Sequence, residues 1–236
     1  MPRSISPHLR AADTSHKKEN TMKRAAALAL GITGLIAIAG PTRADSDWEY
    51  WSQYEVAWKA GADVQLRLKP ELRFRDDFSD YYYIHVEVGV DWRFRDWLTL
   101  APYYRYISQE SKGDWKTEKR PEADATLAWE VRDFGFSDRN RLEYRITADR
   151  ETFRYRNRLW VKPPKITRAG VQPFLAEEVF YDFDADELNK NRVYAGFSVG
   201  LADGLNADVY YIMDSSKKTD EWSRINILAT ALKYRF

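Results

Sequence analysis

Cysteine is absent from the 236-residue chain, which excludes a disulfide framework, a thiol nucleophile and any Cys-ligated metal. Histidine is nearly absent. Two of the three, His8 and His16, precede residue 45, so His85 is the one imidazole beyond it. No apolar run reaches the roughly 20 residues that a membrane-spanning helix needs. The longest, Ala25 to Ala39, stops short of that. A basic excess is missing too: the formal charge is +1, whereas a nucleic-acid binder shows clustered Lys and Arg on one face. Glycine is scarce, with 11 residues and no phosphate-cradling loop among them.

That one apolar run belongs to a recognisable export signal. Lys23 and Arg24 form a basic start, Ala25–Ala39 an apolar middle, and Thr42-Arg43-Ala44 a small-x-small cleavage site. Residues 22–44 are therefore read as a signal peptide and 1–21 as a mis-annotated or disordered leader. The domain is expected over 45–236, with the mature chain beginning near Asp45. The 44 preceding residues hold seven of the 37 Lys/Arg and two of the 36 Asp/Glu. This leaves 30 basic against 34 acidic residues, a formal balance of −4.

What the rest of the chain does have is alternation. From Val64 to Arg75 apolar and polar residues alternate for twelve positions, which in a strand gives one apolar and one charged face. A tilted strand crossing a bilayer takes about nine to eleven residues, against five or six in a typical soluble strand. Eleven such segments occur, at 48–58, 62–75, 81–94, 98–108, 121–131, 137–147, 153–161, 171–181, 191–201, 205–213 and 222–236. Tyr82, Ile84, Val86, Val88, Val90, Trp92 and Phe94 fall on one face of the third. Leu205, Ala207, Val209, Tyr211 and Met213 do so in the tenth. Segment 171–181 is ambiguous: Leu175, Val179 and Tyr181 share a parity with Glu177, and Phe174 and Phe180 share one with Glu178.

Polar stretches 76–80, 109–120, 148–152, 182–190 and 214–221 alternate with the mostly tighter junctions 59–61, 95–97, 132–136, 162–170 and 202–204. Bacterial barrels have short periplasmic turns and longer outer loops, which places Phe236 on the periplasmic side. Such barrels also have even strand numbers, so eleven segments imply ten or twelve strands, with twelve favoured. A lipocalin-like soluble barrel alternates as well, with its apolar face inward. Strand length, export and aromatic residues at strand ends favour the membrane. Those aromatics are Trp48, Trp51, Trp58, Tyr81, Trp92, Trp97, Trp129, Phe134, Trp160, Tyr181 and Trp222, as expected for interfacial girdles. The expected fold is an all-β, antiparallel, up-and-down transmembrane β-barrel of 10–12 strands in a Gram-negative outer membrane. Tyr234 and Phe236 form an aromatic ending read as the signal to the barrel-assembly machinery, and outer-membrane lipid and lipopolysaccharide are the expected surroundings.

The chain resembles the small outer-membrane barrels grouped as domain of unknown function family 2490. The resemblance rests on Trp48 and Trp51, Glu71-Leu-Arg-Phe-Arg-Asp-Asp77, Arg139-Asn-Arg-Leu-Glu-Tyr-Arg145, Phe153-Arg-Tyr-Arg-Asn-Arg158, Glu178-Val-Phe-Tyr181, Asn191-Arg192 with Gly196, and the aromatic C-terminus. It spans almost all of 48–236, implies a barrel in the outer membrane and supplies no substrate.

Charge inside the barrel is the main functional signal. With Leu142, Tyr144 and Ile146 outward, Arg139, Arg141, Glu143 and Arg145 face in. Likewise Arg154, Arg156 and Arg158 face in opposite Phe153, Tyr155 and Leu159. Paired positions across this hairpin must have an odd sum, and 299 and 301 are the expected registers. Like charges directly opposite are destabilising, so anionic groups must lie nearby. One source is internal: Glu122, Asp124 and Glu130 for this hairpin, and Glu71, Glu87 and Asp91 for Arg67, Arg73, Arg75 and Arg93. Arg192 is a further lumen cation. The other source is a small anionic solute, since guanidinium forks match carboxylates and phosphates and charged rings select ions in pores. Passive passage of a small hydrophilic solute, with a preference for anions, is the leading expectation. The alternative is a non-conducting envelope-maintenance barrel with a closed, ion-paired lumen. A lipid-modifying enzyme needs a nucleophile beside a base, and no Gly-x-Ser-x-Gly-like element accompanies His85. No catalysis, metal or cofactor is expected. Asp182 to Glu187 reads as a solvated acidic tip.

Overall fold

The computed structural model describes residues 48–166, 170–218 and 221–236. The leader, the export signal and the start near Asp45 lie outside the described residues. Eleven strands follow one another: β1 (Trp48–Lys59), β2 (Val64–Arg75), β3 (Asp80–Arg95), β4 (Leu98–Ser111), β5 (Asp114–Val131), β6 (Phe134–Ile146), β7 (Glu151–Lys162), β8 (Gln172–Asp182), β9 (Glu187–Ala202), β10 (Leu205–Lys218) and β11 (Glu221–Arg235). Each corresponds to one of the eleven alternating segments. No helix among the described residues is long and apolar enough to cross a membrane.

The strands close into a single barrel. Consecutive strands pair antiparallel, whereas β1 and β11 pair parallel, from Trp48↔Asn226 to Ala57↔Arg235. That seam corrects the expected even count. In an odd up-and-down meander the first and last strands point the same way, and parallel pairing lets eleven strands close with neither edge left open. The last residue secures the seam, with the Phe236 N–H donating to the Ala57 carbonyl at 3.0 Å.

The connections also differ from expectation. Stretch 109–120 is mostly ladder, paired from Gln109↔Lys116 to Ser111↔Asp114 about a two-residue turn. Its polar composition suggests a loop, but a hairpin arm that is polar on both faces still pairs its backbone. The longest connection, between β7 and β8, lies at the Phe236 end. Loop length is therefore not what distinguishes the two ends.

The outer wall is apolar. Leu66, Leu68, Val86, Val88, Tyr104, Leu142, Phe153, Leu175, Val209 and Leu228 are all exposed on it. Trp58, Trp92, Trp97 and Phe134 ring the Phe236 end, and Trp48, Tyr81, Trp115 and Trp222 the other. Two of the expected girdle residues face inward instead. Trp51 is buried, and Trp160 stacks on Phe174 with ring centroids 4.6 Å apart. Tyr82 also departs from its expected face. A bulge between Arg73 and Phe74 shifts the β2–β3 register, leaving Tyr82 and Tyr83 both buried. The outer belt is interrupted on β6–β9, where Asn157 donates to Asp138 at 2.6 Å and to Asn140 at 3.2 Å. Asn191 donates to Glu177 at 2.9 Å. These polar groups satisfy one another, as an apolar surrounding demands.

Two inward glycines admit a neighbouring strand. A Cβ on Gly89 would clash with the Tyr103 ring and meet the Pro102 carbonyl at 2.6 Å. One on Gly196 would clash with Tyr210 and lie 2.5 Å from the Val209 carbonyl. Gly89→Ala is expected to lower stability by about 1–3 kcal/mol, the usual cost of overpacking. Heat unfolding of the two proteins in the same detergent measures it.

Candidate functional site

Inward residues divide the lumen into two unlike halves. Around β8–β11 and β1 the interior holds an apolar cluster of Trp51, Ala176, Tyr194, Ile212, Ile227 and Ala229, flanked by the ion pairs Arg192–Asp214 and Lys233–Asp208. Around β2–β8 it is ionic. The register of the β6–β7 hairpin sets the layout, and its paired positions sum to 297 rather than to 299 or 301. The four-residue connection 147–150 is tighter than expected, so Arg141 opposes Arg156, Arg139 opposes Arg158, and Glu143 opposes Arg154.

The like charges so juxtaposed are neutralised by carboxylates from neighbouring strands. Arg141, whose side chain has no exposed surface, donates to Asp124 through Nε at 2.6 Å and Nη2 at 2.7 Å. It also reaches Glu87 at 3.1 Å and contacts Glu122. Glu87 accepts from Lys69 at 2.6 Å and from Arg105. Glu143 accepts from Arg154 at 2.7 Å and Arg156 at 2.5 Å. Glu178 accepts from Arg139 at 2.6 Å, Arg156 at 2.8 Å and the Tyr194 hydroxyl at 2.6 Å. One connected network thus runs from β2 to β9 across the lumen. Arg141, Glu87, Glu143 and Glu178, with Phe180, are among its least accessible side chains.

Beyond this layer, towards the β1 N-terminus, further pairs continue. Arg145 donates to Glu118 at 2.8 Å, Arg192 to Asp214 at 2.8 Å, and Arg75 bridges Asp80 and Glu110. Arg73 pairs with Glu71 at 2.6 Å and lies between the Trp51 and Tyr83 rings. On the opposite, Phe236 side of the layer, Arg67 pairs with Asp91 and lies 3.5 Å from Glu55.

A cavity of about 630 Å³ opens at the Phe236 end and runs past this layer beside β1 and β2, as far as Trp51, Arg73 and His85. Its lining includes thirteen Lys/Arg and seven Asp/Glu, a clear cationic excess. Arg93 and Arg158 line it without an ion pair among the described residues. Two expected partners do not take part as foreseen. Glu130 lies exposed at the end of β5, outside the network. Arg75 sits at the opposite mouth, away from Glu71, Glu87 and Asp91. His85 is buried 3.7 Å from Glu71, its cross-strand partner, with Nδ1 unpartnered. Asp182 accepts from the backbone N–H groups of Asp184 and Ala185, closing its own turn. The outward rings of Tyr234 and Phe236 meet edge to face at 4.6 Å.

Sequence reasoning missed Lys69, Arg105, Arg120 and Glu178 as lumen charges. Arg105 shares its parity with Ala101, Tyr103 and Ile107, which looked apolar, and Glu178 shares its parity with Phe174 and Phe180. A signal was present in both: each lies opposite an assigned charge, Arg105 on Glu87 and Glu178 on Arg158.

A closed barrel with an apolar wall, an ion-paired interior and a basic cavity at one end defines the class of protein. The chain belongs to the family described as "Protein of unknown function (DUF2490)", which matches residues 48–225. No curated protein matches it.

Proposed function

We propose that this protein is an outer-membrane barrel whose lumen is narrowed and tied together by an ion-paired network, serving the envelope as a non-conducting element. The observation that carries the reading is Arg141, enclosed with Glu87, Glu122 and Asp124 and without exposed surface. In a water-filled pore such guanidinium groups stay hydrated, whereas here carboxylates take the place of water. The apolar wall, the aromatic residues at both strand ends and the absence of an open edge support a bilayer setting, where every backbone polar group must be paired internally. Lipid and lipopolysaccharide then surround the wall. Tyr234 and Phe236 at the end of the closing strand present an aromatic edge to the assembly machinery.

A second reading, passage of a small anion, draws on the cationic excess of the cavity. Single-channel recording in planar bilayers separates the two. Folded protein is expected to insert and remain silent at moderate voltage. Discrete conductance steps would overturn the closed reading in favour of passage.

A further inference from the structure

The cavity at the Phe236 end holds an arrangement that the closed-barrel reading leaves unused. Arg158 stands directly across from Arg139 on β6 and from Glu178 on β8. Glu178 is the acid its position would give it, yet both carboxylate oxygens are already taken by Arg139, Arg156 and Tyr194. Asp124 is likewise occupied, holding Arg141 by two bonds. Arg158 therefore makes no ion pair of its own among the described residues, with its guanidinium 5.1 Å from the Trp160 ring and 5.9 Å from the Tyr194 ring.

Unused donors gather around it. Trp160 follows two residues on, on the same face, and its indole Nε1 is buried without a partner. The Nε of Arg139 is also buried and unpartnered. A buried donor left unpaired is destabilising, and two guanidinium groups facing each other across a strand pair add repulsion. A single group with several acceptor oxygens and more than one negative charge would relieve all of these together. A phosphate monoester carries about −1.5 to −2 charges and three strong acceptors, and guanidinium forks match it geometrically.

We propose that the cavity is a binding site for a small, water-soluble phosphorylated solute, its phosphate held by Arg158 and Arg139 and by the Trp160 indole N–H. The barrel wall separates the cavity from lipid, so the solute enters from the aqueous mouth at the Phe236 end. A volume of about 630 Å³ lies within the roughly 300–1,000 Å³ range of small-molecule sites. The site stands whether the layer behind it is shut or opens.

The test titrates inorganic phosphate, and separately glycerol phosphate, into the full chain folded in detergent. Ionic strength is held constant with chloride, and tryptophan fluorescence and heat stability are followed. A saturable fluorescence change and a rise in unfolding temperature are expected with both probes. Arg158→Gln should weaken binding at least about tenfold without the large loss of ligand-free heat stability expected of Arg141→Gln, because Arg158 has no ion pair to lose and its removal relieves repulsion with Arg139. Trp160→Phe should remove the fluorescence change. A response that tracks ionic strength alone, no saturable response, or equal binding by wild type and Arg158→Gln would each overturn the proposal.

Discussion

Arg141→Gln is expected to lower the stability of the folded barrel by about 3–5 kcal/mol, the cost of removing one partner from a buried ionic cluster. Glu87, Glu122 and Asp124 converge on this one side chain, and glutamine cannot neutralise them. Heat or denaturant unfolding in detergent reads the loss. The comparison that gives the result meaning is Arg158→Gln, on the same face of the neighbouring strand. If lumen arginines are generally free charges lining a pore, the two variants should behave alike, with little loss of stability and a shift of selectivity towards cations. If Arg141 holds the layer together and Arg158 is free, only the first is destabilised. A stable Arg141→Gln protein would refute the closed-lumen account.

The second large effect concerns the wall. Val88 is 45 % exposed on the outer face, with Leu68 and Tyr104 beside it. Val88→Arg should cost about 2–4 kcal/mol if this site lies near the bilayer midplane, and Tyr211→Arg should act in the same direction. Glu87→Gln, one residue away, is not the mild control that its strand position suggests. Glu87 faces inward, is 1 % exposed and holds Lys69, Arg105 and Arg141. Glu130→Gln, at the exposed end of β5, is the suitable mild control. Refolding yield into lipid vesicles and resistance to heat in detergent measure all four. Free reaction of cysteines at positions 88 and 211 with aqueous probes, together with normal stability of the Arg variants, would show that the wall does not face lipid.

Much of the barrel was legible without coordinates, because the two-residue period of a strand writes its two faces directly into the chain. Where both faces are apolar the period says little. In β8, and in Ile225, Ile227, Ala229 and Ala231 of β11, inward residues pack into the apolar half of the lumen. That packing also hid Glu178. Tyr82 was misplaced for a related reason, since one bulge reverses parity and leaves no mark in composition.

By itself the sequence determined the all-β class, the eleven alternating segments and the inward side of the Arg139–Arg158 hairpin, since each follows from local alternation between turns; that the segments are eleven strands rather than ten or twelve came from the parallel seam. Only the tertiary structure decided the parallel seam, the register of 297 and the partner of each arginine. Those depend on which residues meet across strands, and a shift of two residues keeps every face while changing every pair. Whether a lumen arginine is held in ion pairs, as Arg141 is, or left without one, as Arg158 is, was settled by that register. The reason is physical: a carboxylate has two oxygens, and the geometry of the barrel decides which cations reach them first.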